Sequence, residues 1–290
     1  MSEQIYQMVT ERITAELEAG RVPWRQNWLA SGGVPRNLAG RPYRGINVWM
    51  LLLAGYSDPR WGTLRQINAA GGRIRRGERS TPVIYWRRLE VEDAAAPGGR
   101  RTIPFLRYYR VFNVAQAEGL DLPAIDAPRP VLEPIAAAES IVDAMPNRPA
   151  ILWDGGARAF YVPATDAVHM PARDDFETPA GVYETLFHEL GHSTGHPSRL
   201  GRHDDTAGRH AYGREELVAE MAAAFLCAEA GIDVAAVVRN QAAYLAGWLD
   251  AIRADRRALV VAAGAAQRAA DYILGRAAAS EAAEVADVAA

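Results

Sequence analysis

Lysine is absent from this sequence; all 32 basic residues are arginine. Amid so much alanine, that usage points to a GC-rich genome rather than to a function. Cysteine is nearly absent, Cys227 being the sole thiol. One thiol closes no internal disulfide, so a reducing, cytoplasmic home is expected, with Cys227 a small core residue of an alanine-rich helix. No apolar run approaches the ~18 residues that span a bilayer, so no membrane partner is expected. The opening Met1-Ser2-Glu3-Gln4 is polar and acidic, with no apolar signal core behind it. Zinc-finger spacings, recognition-helix patterns and the phosphate-cradling glycine-lysine loop are also missing. Neither sequence-specific duplex readout nor ATPase chemistry is supported.

What is present suits a globular chain: 290 residues, 49% hydrophobic and 23% charged. That length makes one large domain or two ordinary ones. The formal net charge of −3 hides a division. Residues 1–124 hold 18 Arg against 11 acids, whereas residues 125–290 hold 14 Arg against 24 acids. Within 21–88 there are 13 Arg and only two acids, Asp58 and Glu78. Such asymmetry predicts two domains with different partners.

Periodicity predicts a helix over 2–19, from Ile5, Val9, Ile13 and Leu17, closed by Gly20. Shorter helices are expected over 46–54 and 63–70. The β-rich runs Val83–Trp86 and Ile103–Val114 then predict a hairpin with a long loop. Leu122 to Pro134 carries four prolines (123, 128, 130 and 134) and reads as a linker. Beyond it the pattern predicts a helix over 135–145 and strands near 151–153, 159–162 and 167–170. Helices follow from Pro179, over about 214–230, and on to about 277. The Ala/Glu-rich end, 278–290, is expected to be a disordered tail.

Thr178 is a good N-cap and Pro179 suits the first helical position. In the helix so started, Val182, Leu186 and Leu190 share one apolar face. His188 and His192 share another, about one turn apart, where two imidazoles can chelate one ion. The motif His188-Glu189-Leu190-Gly191-His192 is H-E-x-x-H, in which zinc activates water and the glutamate, here Glu189, is the general base. The metzincin position for a third histidine holds Ser198. His196 sits where the helix is ending, and His203 and His210 lie in a polar stretch. In zincins whose third ligand is glutamate, a partner helix carries E-x-x-x-D/E/N. Resemblance to that pattern implies Glu216 as the ligand and Glu220 as acceptor of the His188 N–H. Glu215 is expected to face solvent. Two His, one Glu and an open position favour zinc, with manganese or cobalt able to substitute. Tyr212, His210 and Arg199 are unranked candidates for oxyanion support. The strand ending at Val168-His169-Met170 resembles the zincin edge strand that pairs with an extended peptide substrate.

The first half interleaves arginine with aromatics, which suits single-stranded DNA: cations track phosphates and rings stack on bases. The expected contacts are Arg41, Tyr43, Arg44, Asn47, Trp61, Arg65, Arg73, Arg75, Arg76, Arg79, Trp86 and Arg87. Tyr43, between Arg41 and Arg44, is the foremost stacking candidate; Trp49, in an apolar run, is expected in the core.

Several stretches together resemble one known family. Ile13–Trp28, Gly40–Asn47, Trp61–Gln66, Gly72–Gly77 and Val111–Asn113 look like the N-terminal domain of the ArdC antirestriction family. His188–Leu200 (HELGHSTGHPSRL) and Tyr212–Leu226 (YGREELVAEMAAAFL) look like that family's metallopeptidase-type domain. The likeness covers roughly residues 4–275, in the same order. Arginine stands where lysine is expected, as at Arg25, Arg76 and Arg79, which keeps the charge. Gly191 and Ser193 stand where bulkier residues are expected. The resemblance implies an α+β chain of two domains. A mixed helix and antiparallel-sheet domain for single-stranded DNA (1–122) is joined by a linker (123–134) to a zincin-like metallopeptidase domain (135–277). It further implies protection of incoming plasmid or phage DNA from restriction. The rival reading is an active zinc endopeptidase that its basic domain directs to DNA-bound protein or peptide substrates.

Overall fold

The computed structural model describes residues 2–25, 33–92, 100–123, 134–154, 156, 158–202, 209–233, 248–250 and 252–276. The expected tail 278–290 and all but the ends of the expected linker lie outside them, as does His203.

The first half opens with helix α1 (Ser2–Glu18), whose Ile5, Val9, Ile13 and Leu17 are all buried. Helix α2 (Ile46–Leu52) follows, and then α3 (Leu64–Ala69). Thr63 caps α3: its hydroxyl accepts from the Gln66 backbone while the Gln66 side chain accepts from the Thr63 backbone. Strands β1 (Arg36–Asn37), β2 (Arg60–Gly62), β4 (Thr81–Glu92) and β5 (Arg100–Asn113) form one sheet in the order β1-β2-β5-β4. The expected hairpin is thus the long β4–β5 pair, in register from Thr81↔Val111 to Glu92↔Arg100. A second, two-stranded sheet pairs β3 (Arg73–Ile74) with β6 (Ala117–Glu118).

The second half contains α4 (Pro134–Ala144), α5 (Pro179–Ser193), α6 (Arg209–Ala230) and α7 (Ala258–Ile273). Its sheet has β7 (Ala150–Trp153), β8 (Phe160–Val162) and β9 (Ala167–Met170) in the order β7-β9-β8. Strand β9 is therefore central, parallel to β7 and antiparallel to β8. This corrects the expectation of an edge strand ending at Met170. Both sides of β9 are already paired, so its ladder has no room for a substrate; β7 and β8 are the edges.

The halves differ in charge but share one core. Residues of α1 and α2 lie in the same buried cluster as residues of α5, α6 and α7. Trp24, from the first half, stands edge-on to Trp49 at 6.2 Å and to Trp248 at 5.4 Å. Trp49 stacks on Phe225 of α6 with centroids 4.9 Å apart. Truncating either of these fully buried tryptophans would cost about 3–5 kcal/mol. A polar tie runs beside them. Arg44 pairs with the buried Asp271 of α7, and the Gly45 N–H donates to Gln267 Oε1 at 3.1 Å.

Candidate metal centre and nucleic-acid interface

Helix α5 starts as its sequence dictates: the Thr178 hydroxyl accepts from the Gly181 N–H at 3.1 Å, with Pro179 following. Val182, Leu186 and Leu190 anchor its apolar face in the core. Helix α6 crosses close by because Gly191 lacks a side chain. A Cβ there would stand 3.1 Å from Ala219 Cα and 3.3 Å from its carbonyl oxygen, so even a methyl group would require α6 to give by a few tenths of an ångström. Ala219 lies between Glu216 and Glu220, so this contact brings both carboxylates up to the two histidines.

The donors then converge. His188 Nε2 and His192 Nε2 are 3.2 Å apart. Glu216 Oε2 is 3.5 Å from His188 Nε2, and Glu216 Oε1 is 3.6 Å from His192 Nε2. Four ligands placed tetrahedrally at about 2.0–2.2 Å from one ion would stand roughly 3.3–3.6 Å from each other. The trio fits that spacing. It is a possible divalent-metal site, and one carboxylate plus two imidazoles is a donor set that suits zinc-like ions.

Around the trio lie groups that orient it. Glu220 Oε2 is 3.3 Å from His188 Nδ1, a charge-pair distance on the side of the ring away from Nε2. His188 is buried, and burial works against a charged ring. Glu216, Glu220 and Glu189 outweigh it and push the pKa up to about 10. Glu215 departs from the expectation of a solvent-facing side chain. Its Oε1 lies 3.6 Å from His192 Nδ1, and Arg202 holds it at 2.7 Å. Arg202 also donates to the Gly191 carbonyl at 3.0 Å and to Thr194 Oγ1 at 2.6 Å. Sequence reading missed Arg202, and no spacing rule points to it. His196 is not among the converging donors; its Nδ1 is 2.7 Å from Ser198 Oγ. Arg199 is committed elsewhere. Its fully buried side chain donates to Asp166 and to the Ser193 carbonyl, clamping the chain beyond α5. Burial and the Asp166 carboxylate push the Tyr161 hydroxyl in this clamp up to about 12. The side chains of His210 and Tyr212 lie outside the described residues.

The structure sorts the residues expected to contact nucleic acid. Trp61 is only 2% exposed, on β2 inside the sheet, so it packs the core and offers no stacking face. Asn47 is buried, and its amide is spent on the Ile84 backbone, accepting from N–H and donating to C=O at 2.7 Å each. Arg44 is committed to Asp271. Arg75 bridges to Glu78 and donates to the Ala115 and Ala117 carbonyls, pinning β3 to the turn after β5. The expectations for Trp61 and Asn47 are thus corrected, since both side chains are buried; Arg44 and Arg75 carry structural ties, and Arg75 is exposed. Trp86 is partly buried against the core. Arg41, Arg65, Arg73, Arg76 and Arg79 are exposed. The Arg87 side chain lies outside the described residues. Tyr43 lines a solvent-open cleft with Asn37, Arg41, Tyr85 and Tyr109.

Residues 3–112 match the family profile described as the N-terminal domain of anti-restriction factor ArdC, and residues 136–265 match a zincin-like metallopeptidase. A crystal structure of the antirestriction ArdC protein from plasmid R388, metal-free, superposes with a TM-score of 0.76 at 37% identity, covering 96% of this chain and 98% of that one. The chain belongs to the ArdC antirestriction family. The Mn(II)-bound structure of R388 ArdC matches with the same TM-score and identity over 94% of this chain. The uncharacterized protein y4eC of Sinorhizobium fredii is 36% identical over 93% of this chain and 91% of its own length. Two Escherichia coli proteins named DNA primase TraC are 35% and 34% identical, each over 93% of this chain. The chain spans only 27% and 20% of their lengths. Among the described residues no helix is long and apolar enough to cross a membrane.

In this ArdC-family chain the converging trio, and the Glu189 that follows His188, all fall within the zincin-like match. Glu189 is 7% exposed. A buried carboxylate beside a cation site is suited to taking a proton from water there.

Proposed function

We propose that this chain binds single-stranded DNA through its arginine-rich half and holds a divalent ion, zinc first, at His188, His192 and Glu216, in the service of protecting incoming mobile-element DNA. One observation carries the metal assignment: three donors from two helices stand at tetrahedral spacing, and Glu215 and Glu220 brace the rings behind them. The Mn(II)-bound form of R388 ArdC supports a divalent ion and leaves manganese or cobalt as substitutes. For the DNA, support comes from the arginine excess of residues 21–88 and from the exposed Arg65, Arg73, Arg76 and Arg79.

The ion, when bound, supplies Lewis acidity and a water of lowered pKa. His188 and His192 present Nε2 because Glu220 and Glu215 lie against their Nδ1 atoms. Glu189 takes the proton of the attacking water and passes it to the leaving amine. Those are the parts of a peptide hydrolase, so the second reading is a zinc endopeptidase brought to DNA-bound protein substrates. Glu189→Gln separates the two. It keeps the ligand trio, so metal content by elemental analysis stays at the wild-type ratio. If peptidase action is the purpose, the variant loses protection of incoming DNA from restriction. If protection persists at the wild-type level, the endopeptidase reading is wrong and DNA binding carries the function.

A further inference from the structure

Trp24, Trp49 and Trp61 of the basic half are fully buried and unavailable to a base. Tyr108 on β5 is exposed but does not line the cleft, and Tyr56 packs edge-on to Trp61 at 5.5 Å. Three partly buried tyrosines are instead gathered at one place. Tyr43 comes from the loop after β1, Tyr85 from β4 and Tyr109 from β5, and all three line a solvent-open cleft. The ladder explains the gathering. Tyr85 pairs with Arg107 and Val83 with Tyr109, so Tyr85, Arg107 and Tyr109 share one face of the hairpin. The rings of Tyr85 and Tyr109 are 5.6 Å apart at 59°, each fixing the other's position. Arg41, exposed, lies on the rim of the cleft. At its buried end are Ile84 and Asn47, whose amide is already spent on the Ile84 backbone.

We infer that this cleft receives one unpaired base of single-stranded DNA, stacked against the tyrosines, with Arg41 and Arg107 beside its phosphates. The inference rests on the single-strand reading above and gives it a place. The chemistry matches on three counts. Held rings stack on a base at little entropic cost, because their rotamers are already restricted by packing. Arginine at the rim meets the phosphate that must accompany any base. The amide of Asn47 is already bonded to the Ile84 backbone, so stacking rather than base-edge reading by that residue supplies the contact. A paired base presents no ring face, so duplex DNA is excluded from the cleft.

The test uses the full chain and two probes, a fluorescein-labelled oligothymidylate and a duplex of equal length, titrated by anisotropy at several salt concentrations. Tyr85→Leu and Tyr109→Leu should each weaken oligothymidylate binding between about fivefold and a hundredfold. Tyr85→Phe should restore it. Duplex affinity and the slope of affinity on salt should stay at wild-type values, because no phosphate contact is removed. As a check independent of folding in the variants, an oligonucleotide carrying 5-iodouracil is irradiated on the wild-type protein. Cross-links should map to Tyr43, Tyr85 or Tyr109. If wild type binds oligothymidylate but cross-links only outside the cleft, or the leucine variants bind it undiminished, the cleft assignment is overturned and the single-strand reading stands. If wild type prefers the duplex, the single-strand reading falls and takes the cleft with it.

Discussion

The two halves of this molecule put their charge to opposite uses. In the acidic half, like charges are forced together. Glu215, Glu216 and Glu220 on one helix and Glu189 on another all lie near two histidines, and His188, His192 and Glu216 form a possible divalent-metal site. In the basic half, charges are either dispersed or consumed. Arg44 and Arg75 are tied into the fold, while Arg65, Arg73, Arg76 and Arg79 stand apart in solvent. A site that must coordinate has to be built in advance, donor by donor. A surface that only attracts a polyanion can leave its arginines loose. Yet the halves fold on a common core, so the contrast is in electrostatics and not in packing.

The sharpest way to break the contrast is at Glu216. Glu216→Ala removes a ligand and should lower metal affinity by more than about a hundredfold, since even groups behind the ligands are worth 10–100-fold. Chelator competition reads this directly. Oligonucleotide binding should be untouched. Loss of both together would mean that the metal organises the basic half as well. A melt with and without chelator should then separate wild type, which loses stability on metal removal, from the variant, which does not.

The next test bears on the shared core. Among the described residues, Arg44→Met leaves the buried Asp271 carboxylate with Gln267 as its side-chain partner, at 3.3 Å. Removing a charged partner of this kind should cost about 2–3 kcal/mol. The loss should appear as one cooperative transition at lower temperature, followed by tryptophan fluorescence from the Trp24–Trp49–Trp248 cluster. Two separated transitions, with the basic half melting first, would show that the halves are stable alone and that the joint core is dispensable.

The sequence betrayed the coordinating half far more than the attracting one, and the reason is physical. His188 and His192 meet because of a four-residue helical repeat, and Thr178 and Pro179 fix where that helix begins; all of it is local. The ladder of β4 and β5 was legible for the same reason. Glu216 depends on how α6 lies against α5, so it came from resemblance. The spacing of Gly191 against Ala219 that permits it is visible only in three dimensions. Strand order is likewise non-local: β9 follows β8 in the chain yet sits between β8 and β7. The aromatics were the least legible. A tryptophan beside an arginine looks the same in sequence whether it faces solvent or core. Trp61 went inside because β2 is flanked by β1 and β5.

The smallest expected effect concerns the residue that helical geometry mislocated. Glu215 precedes the ligand Glu216 by one position, about 100° around the helix, which on an isolated helix would turn it away. Two things hold it in play. The His192 ring presents Nδ1 on the side facing Glu215, and Arg202 pulls the carboxylate toward α5 while fastening itself to the Gly191 carbonyl. The pair is looser than its counterpart at 3.6 Å against 3.3 Å, and Glu215 is more exposed than Glu220. Glu215→Gln should therefore weaken metal binding by only about threefold to tenfold, at or below the low end for a residue that orients a ligand. Glu220→Gln should cost more. The ratio of the two, measured by chelator competition at one pH, ranks the braces. If Glu215→Gln proved the more damaging, His192 rather than His188 would be the ring that most needs holding, and Arg202→Met should then reproduce the loss.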